Sequence, residues 1–282
     1  MGIKLIASDL DGTIMNEFNT IAGENLSAFQ KIQDKEIRFA ISTGKPYALI
    51  KDVCHTCPAS YGIFGNGMQI MDLKNNKEIY SQSLSKDAIR ICLSIAKKHH
   101  LHVHFYTNQK IVSEKLAYMD LRNYLLNKDK VDGMQTEIVP DIETYLETLE
   151  EPICKFVITG QTDLTSVKNE ILELLDVTIL GIKKYHQYRD TIIDKEYEYL
   201  DIAPKGASKG KALSILQDYL HIKKEDTLAV GDNMNDIDML QNAGTGVAVA
   251  NAFDEVKDVA SYVTTKSVNE GGFAEAIRKY LV

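Results

Sequence analysis

Two short apolar runs in this chain of 282 residues pass straight into acidic loops. Ile3-Lys4-Leu5-Ile6-Ala7 leads into Ser8-Asp9-Leu10-Asp11-Gly12-Thr13, and Thr227-Leu228-Ala229-Val230 leads into Gly231-Asp232-Asn233-Met234-Asn235-Asp236. This pattern constrains the fold because carboxylates gathered at a strand end are costly. Asp is disfavoured in strands, and two unit charges 4 Å apart repel by about 4 kcal/mol at an effective dielectric of 20. Taken alone, Asp11-Gly12 also suits a turn that caps a following helix. Two such loops, each behind an apolar strand, suit the carboxyl edge of an open parallel sheet, where ligand-binding loops converge. A shared cation reverses the repulsion, and Mg²⁺ takes one or two carboxylates together with phosphate oxygens.

Two further segments fit the same frame. Ile37-Arg38-Phe39-Ala40-Ile41 reads as a strand and runs into Ser42-Thr43-Gly44-Lys45-Pro46, which offers hydroxyls, a flexible backbone and a cation. Pro204-Lys205-Gly206-Ala207-Ser208-Lys209-Gly210-Lys211 precedes a helix that Ser208 caps, starting near Lys209. Strands and helices alternate through the first 65 residues: strand 3–8, helix 22–35, strand 37–42, helix 46–56, strand 61–64. Such alternation predicts parallel pairing with right-handed crossovers. Runs 68–72 and 77–80, around Asn75-Asn76, read as a hairpin leaving that sheet. Residues 84–196 change character, with helices 86–99, 115–126 and 163–175 among strands 101–106, 110–113, 153–158, 177–182 and 191–194. From Tyr197 the alternation resumes and ends in helix 272–280. The expected architecture is α/β: a Rossmann-like parallel-sheet core domain, 1–83 and 197–282, with an inserted α+β cap domain, 84–196.

Four segments, in this order, resemble the four motifs of the haloacid dehalogenase superfamily. They are Asp9-Leu10-Asp11-Gly12-Thr13, Ser42-Thr43-Gly44-Lys45-Pro46, Gly206-Ala207-Ser208-Lys209-Gly210 and Gly231-Asp232-Asn233-Met234-Asn235-Asp236. The nearest likeness is to the Cof-type phosphatases, with an inserted cap of type IIB. Asn66-Gly67, the run from Ala243 to Ala252, and Asn269-Glu270-Gly271-Gly272 resemble the same subfamily. The resemblance spans 1–82 and 197–282, and the middle matches only in size. Lys45 departs from the pattern, which usually has Arg after the glycine. The positive charge is retained but the planar fork is lost, which weakens bidentate contact with phosphate.

The resemblance implies a Mg²⁺-dependent phosphatase that acts on small phosphorylated metabolites through a covalent aspartyl-phosphate. It makes Asp9 the nucleophile. Asp11 protonates the leaving oxygen and then deprotonates the attacking water, so the two carboxyls need different pKa values. Mg²⁺ is held by Asp9, the backbone carbonyl of Asp11, and Asp232. Thr43, Gly44 and Lys209 surround the phosphoryl oxygens, where charge develops in the transition state. Asn235 is a candidate phosphate or water contact, and Asp236 orients Lys209 or a metal-bound water. Without the resemblance, Lys209 reads as a solvated lysine in a polar run, and Asn233 as a loop residue. A phosphotransferase or phosphomutase using the same intermediate, and a non-enzymatic regulator with a vestigial site, stand as alternatives. Release of free phosphate separates the hydrolase from the transferases.

Other features narrow the class. A net charge of −8 argues against a nucleic-acid backbone as partner. No apolar run approaches the roughly 18 residues of a membrane span, and Asp9 and Asp11 interrupt any signal-peptide pattern, so a cytoplasmic protein is expected. Cys54 and Cys57 form a CxxC without the second pair that zinc requires, and Cys92 and Cys154 stand alone. All four are expected to be reduced thiols, with at most a minor redox role for the pair. His102 and His104 share a strand face and are expected on the cap surface or lining a substrate pocket, rather than on a metal. A nucleotide phosphate loop needs a glycine at Lys205 and a hydroxyl at Ala212, and the dinucleotide pattern begun by Gly244 lacks its third glycine at Val249. The substrate's identity, the cap residues that contact it and the oligomeric state have no signature in the sequence.

Overall fold

The computed structural model describes residues 2–16, 20–107, 109–115, 135–188 and 191–281. The chain divides into two compact units, Met1–Ser81 with Ala207–Val282, and Gln82–Gly206. Strands β1 (Leu5–Ser8), β2 (Arg38–Ser42), β3 (Tyr61–Phe64), β4 (Gln69–Asp72) and β5 (Lys77–Ser81) open the first unit. The second unit holds β6 (His102–Thr107), β7 (Lys110–Ser113), β8 (Gln135–Ile138), β9 (Ile153–Gly160), β10 (Val177–Tyr188) and β11 (Thr191–Pro204). Strands β12 (Thr227–Gly231), β13 (Thr245–Ala248) and β14 (Tyr262–Val263) complete the first.

In the first unit these strands form one sheet in the order β14-β13-β12-β1-β2-β3-β4-β5. From β14 to β3 the pairing is parallel. Every position of β1 and β12 is buried, as expected of unbroken apolar runs in a sheet covered on both faces. Ser8 is level with Val230 on one side and with Ile41 on the other. The chain leaves β1 for β2 on one side and returns to β12 on the other, which makes β1 the topological switch point. The loops after Ser8, Ser42 and Gly231 therefore open at one edge.

Helices α1 (Gly23–Asp34) and α2 (Lys51–Thr56) belong to this unit, α3 (Lys86–Lys98), α4 (Ile142–Thr148) and α5 (Thr165–Leu174) to the other. Helices α6 (Lys209–Leu220), α7 (Ile237–Gln241), α8 (Asp254–Val259) and α9 (Gly272–Tyr280) complete the first. Phe29 of α1, Phe39 of β2 and Phe273 of α9 meet with ring centroids 5.6–5.9 Å apart. Each such pair contributes about 0.5–1.5 kcal/mol beyond its buried area. Helix α6 starts where the sequence places its cap, with the Ser208 hydroxyl accepting from the Lys211 N–H at 3.1 Å.

The segments around residues 70 and 79 do not leave the sheet. β4 and β5 extend it as antiparallel edge strands, because Gly65, Asn66 and Gly67 all take positive φ and fold β4 back beside β3. Helix 46–56 is also broken: a 3-10 turn at Tyr47–Leu49 precedes α2, with Ile50 at φ −131 between them.

The second unit is a six-stranded sheet in the order β10-β11-β9-β6-β7-β8. One face carries Val103, Phe105, Phe156, Ile158, Leu200 and Ile202 into a core shared with α3, α4 and α5. Helix α3 owes its start to Ser85, whose hydroxyl accepts from the Ala88 N–H. The other face includes His102, His104, Tyr106, Lys155 and Asp201, with Lys155 paired to Asp201 at 2.9 Å. His104 is buried beside His102 and Tyr106, and no metal cluster forms there among the described residues. The strands expected at 177–182 and 191–194 are parts of the longer pair β10 and β11. Residues 197–206, expected in the core, thus lie in the second unit, and the alternating pattern restarts at Ala207. Helix 115–126 lies outside the described residues apart from its first position.

Candidate active site

Asp9 is the first residue beyond β1, and its N–H donates to the Val230 carbonyl at 2.9 Å, so it is held in sheet register. Asp232 follows β12, and both carboxylates are buried. Lys209, at the first turn of α6, is fully buried and donates to Asp9 Oδ1 at 2.5 Å and to Asp236 Oδ1 at 2.6 Å. The solvated alternative for Lys209 is therefore excluded. Asp236 has little left to offer a ligand, because its Oδ2 accepts the N–H groups of Asp232 and Asn233. Gly231 is required here, since a Cβ would come within 2.6 Å of Asp236 Cβ. Thr13 donates to Asp232 Oδ1 at 2.8 Å, and Gly12, at φ +89, lies where a side chain would overlap Asp232 Oδ2.

Asp11 stands apart from this cluster. Its side chain is 44% exposed and paired with Lys45 at 2.6 Å. Thr43 is buried, its hydroxyl accepting the Lys45 N–H at 3.2 Å. Gly44 faces the Asn66 amide, and Asn235 donates to Asn66 Oδ1 at 2.8 Å. Asn233 caps its own turn by accepting from the Met234 N–H. Three residues with structural parts in this site lie in segments the sequence analysis quoted but were given no role there. Thr13 and Asn66 sit in motifs whose other members drew the attention. Asn251 bridges the Gly12 carbonyl and the Val268 N–H, a pairing across the fold with no local signal.

The electrostatics are those of a site short of positive charge. Burial raises the Asp9 carboxyl well above its usual range against the pull of Lys209, and Asp236, Asp232 and Asp11 raise it further. Burial, then Asp236, pushes Asp232 up to about 6. For Lys209, burial opposes the ammonium, but Asp236 and Asp9 outweigh it and hold its pKa above the ordinary lysine value. Asp9, Asp232 and Asp236 each offer an oxygen, all within 4.8 Å of one another. Three carboxylates against one ammonium fit a hard divalent cation with oxygen ligands. Since Asp236 is committed to Lys209 and two N–H groups, Asp9 and Asp232 are the pair free to hold it.

Comparison with known proteins gives the family. Residues 6–277 match the family model of the haloacid dehalogenase-like hydrolases. The chain belongs to this family. Among its relatives is the 5-amino-6-(5-phospho-D-ribitylamino)uracil phosphatase YcsE of Bacillus subtilis, 28% identical over 99% of this chain and 96% of that protein. A haloacid dehalogenase-like hydrolase from Bacteroides thetaiotaomicron superposes with a TM-score of 0.79 at 26% identity, covering 98% of this chain and 99% of that one. A subclass IIB sugar phosphatase shares the fold, with a TM-score of 0.75 at 20% identity over 99% of this chain and 100% of that one. Like other haloacid dehalogenase-like hydrolases, the chain pairs an α/β parallel-sheet core with a second unit. Among the described residues, no helix is long and apolar enough to cross a membrane.

Cys54, Cys57, Cys92 and Cys154 are all free and buried. Burial pushes Cys54, Cys57 and Cys92 up to about 12, far from a reactive thiolate.

Proposed function

We propose that this protein is a Mg²⁺-dependent phosphatase of small phosphomonoesters that works through a phosphorylated Asp9. The observation that carries the reading is the buried Lys209 ammonium, clamped between Asp9 and Asp236 beside Asp232 at the switch point of the sheet. Such a cluster, with three carboxylates against one ammonium, costs stability unless a cation completes it. Phosphoryl transfer needs a carboxylate oxygen as nucleophile, which Asp9 offers once a cation offsets its burial, and fixed positive charge around the equatorial oxygens, which Lys209 offers.

Lys209 and the sheet register hold Asp9 in place, and an Asp9 oxygen attacks phosphorus as the bond to the leaving oxygen breaks. Asp11 gives that oxygen its proton, and the alcohol departs. A water then attacks phosphorus, Asp11 takes its proton, the Asp9–phosphorus bond breaks and phosphate leaves. Asp11 is exposed enough to reach a leaving group, and Lys45 holds it at the rim until then. Thr43, Gly44 and Asn235 contact the phosphoryl oxygens. Asp9, Asp232 and the Asp11 carbonyl would hold Mg²⁺, which would supply charge neutralisation at the phosphoryl group. Apart from Asp11, these groups act on the phosphoryl group, so they do not distinguish one leaving group from another. A cytoplasmic setting suits a substrate drawn from small phosphorylated metabolites.

The test is phosphate release from a panel of sugar phosphates, nucleotides and 5-amino-6-(5-phospho-D-ribitylamino)uracil, with Mg²⁺ or EDTA, in wild type and Asp9→Asn. Release that needs both Mg²⁺ and Asp9 is expected. Turnover that survives Asp9→Asn sinks the mechanism, and loss of substrate without free phosphate shows transfer to another acceptor.

A further inference from the structure

Asn66 is the middle of three consecutive left-handed residues, with φ values of 59, 58 and 97 at Gly65, Asn66 and Gly67. Glycine takes this conformation freely, whereas Asn does so at a modest cost. A third glycine would form the turn with less strain, so the backbone gives no reason for an amide here. Its hydrogen bonds give one. The Gly65 N–H donates to the Lys45 carbonyl at 3.1 Å and the Asn66 N–H to the Thr43 carbonyl at 3.0 Å, clamping the turn to the loop after β2. The side chain lies over Gly44, where a Cβ would come within 3.1 Å of Oδ1. On its other side, Asn66 Oδ1 accepts from Asn235 Nδ2 at 2.8 Å. Gly67 packs so tightly on the Ser208 carbonyl, the cap of the helix that carries Lys209, that no side chain fits there. One turn thus joins the three loops that surround Asp9.

Asn235 is the partner that makes this a functional matter. Its Oδ1 is buried and has no hydrogen-bond partner among the described residues. One N–H of its amide goes to Asn66, which leaves a second N–H and the buried oxygen uncommitted. A phosphoryl oxygen accepts the N–H, and a water or hydroxyl serves the oxygen. We infer that Asn66 is a positioning residue that fixes the Asn235 amide at the phosphoryl site, so that its donor needs no reorganisation as charge develops. The inference rests on the proposed phosphatase reading and assigns Asn66 no contact with substrate.

The experiment measures kcat and KM for phosphate release in wild type, Asn66→Gly, Asn235→Ala and the double variant. Glycine keeps the left-handed turn and removes only the amide. Asn66→Gly is expected to lose about tenfold in kcat, the scale of one hydrogen bond, with a smaller change in KM. Asn235→Ala loses at least as much, and the double variant no more than Asn235→Ala alone. Asn66→Asp keeps both the turn and the acceptor, and retains kcat within about threefold of wild type while its added charge raises KM. Wild-type kcat in Asn66→Gly, losses that multiply in the double variant, or an Asn66→Asp as slow as Asn66→Gly each overturn the inference. Calorimetric binding of inorganic phosphate gives a readout independent of turnover: affinity falls several-fold in both single variants and no further in the double. Turnover surviving Asp9→Asn counts against the phosphatase reading, whereas unchanged phosphate affinity in Asn66→Gly counts against the role of Asn66.

Discussion

Replacing Lys209 by Met keeps most of the side-chain volume and removes the one ammonium from a nest of three carboxylates. At an effective dielectric of 20, contacts of 2.5 and 2.6 Å to Asp9 and Asp236 are attractions of about 6 kcal/mol each. Desolvation of a fully buried ammonium takes back several kcal/mol. The expected net loss is about 3–5 kcal/mol, the scale for leaving a buried charge without its partner. Its pH dependence comes from Asp9. Lys209 pulls the Asp9 pKa down against burial, so in Lys209→Met it rises further above the value of 3.8 that the unfolded chain has. Over the window between those values the folded state keeps a proton that the unfolded state has lost, so stability falls as pH rises. The deficit relative to wild type should be smaller at pH 5 than at pH 8. Urea denaturation of both proteins in EDTA measures it, and kcat with saturating Mg²⁺ should fall at least a hundredfold. A deficit below about 0.5 kcal/mol at pH 8, or one that grows on acidification, refutes the reasoning.

Three other perturbations probe separate parts of the molecule. A divalent cation at a hundred times its Kd should stabilise the wild type by about 2.7 kcal/mol. Thermal unfolding should show that gain shrinking as pH drops below about 6, where Asp232 takes up a proton; a gain unaffected by pH would place the cation elsewhere. Gly12→Ala strains a residue at φ +89 and crowds Asp232 Oδ2. The Mg²⁺ concentration for half-maximal turnover should rise about tenfold or more, and an unchanged value would show that the loop absorbs the methyl. Glu275 accepts from the Tyr262 hydroxyl and from the N–H groups of Thr265 and Lys266, which together outweigh burial and lower its pKa. That contribution is complete above the unfolded value of 4.5 and is lost as pH falls through the lower folded one. Glu275→Gln should therefore cost about 1–3 kcal/mol at pH 7 and progressively less on acidification, and an equal cost at pH 3 would point to packing instead.

The order of elements in the core, the strand ends at Ser8, Ser42 and Gly231, and the Ser208 cap were legible in the sequence, because each arises from local chemistry. An unbroken apolar run is a strand covered on both faces, a glycine-rich acidic segment ends it, and a serine caps the helix that comes next. So was the choice of acidic loops, since charge repulsion at a strand end demands a partner whatever the fold. Local chemistry does not settle long-range pairing. The hairpin stays in the sheet because three left-handed residues turn β4 back onto β3, and β11 outruns its expected end because pairing with β9 and β10 continues to Ile202 and Pro204. Only the tertiary structure decided that Lys209 is a buried clamp rather than a solvated lysine, because burial depends on contacts across 200 residues. For Asp236, read from the resemblance as orienting Lys209 or a metal-bound water, the tertiary structure shows the contact with Lys209 and two backbone N–H groups. The same holds for Asn66 and Asn235, 169 residues apart, which no periodicity connects and whose loops follow β3 and β12, strands separated in the sheet by β1 and β2.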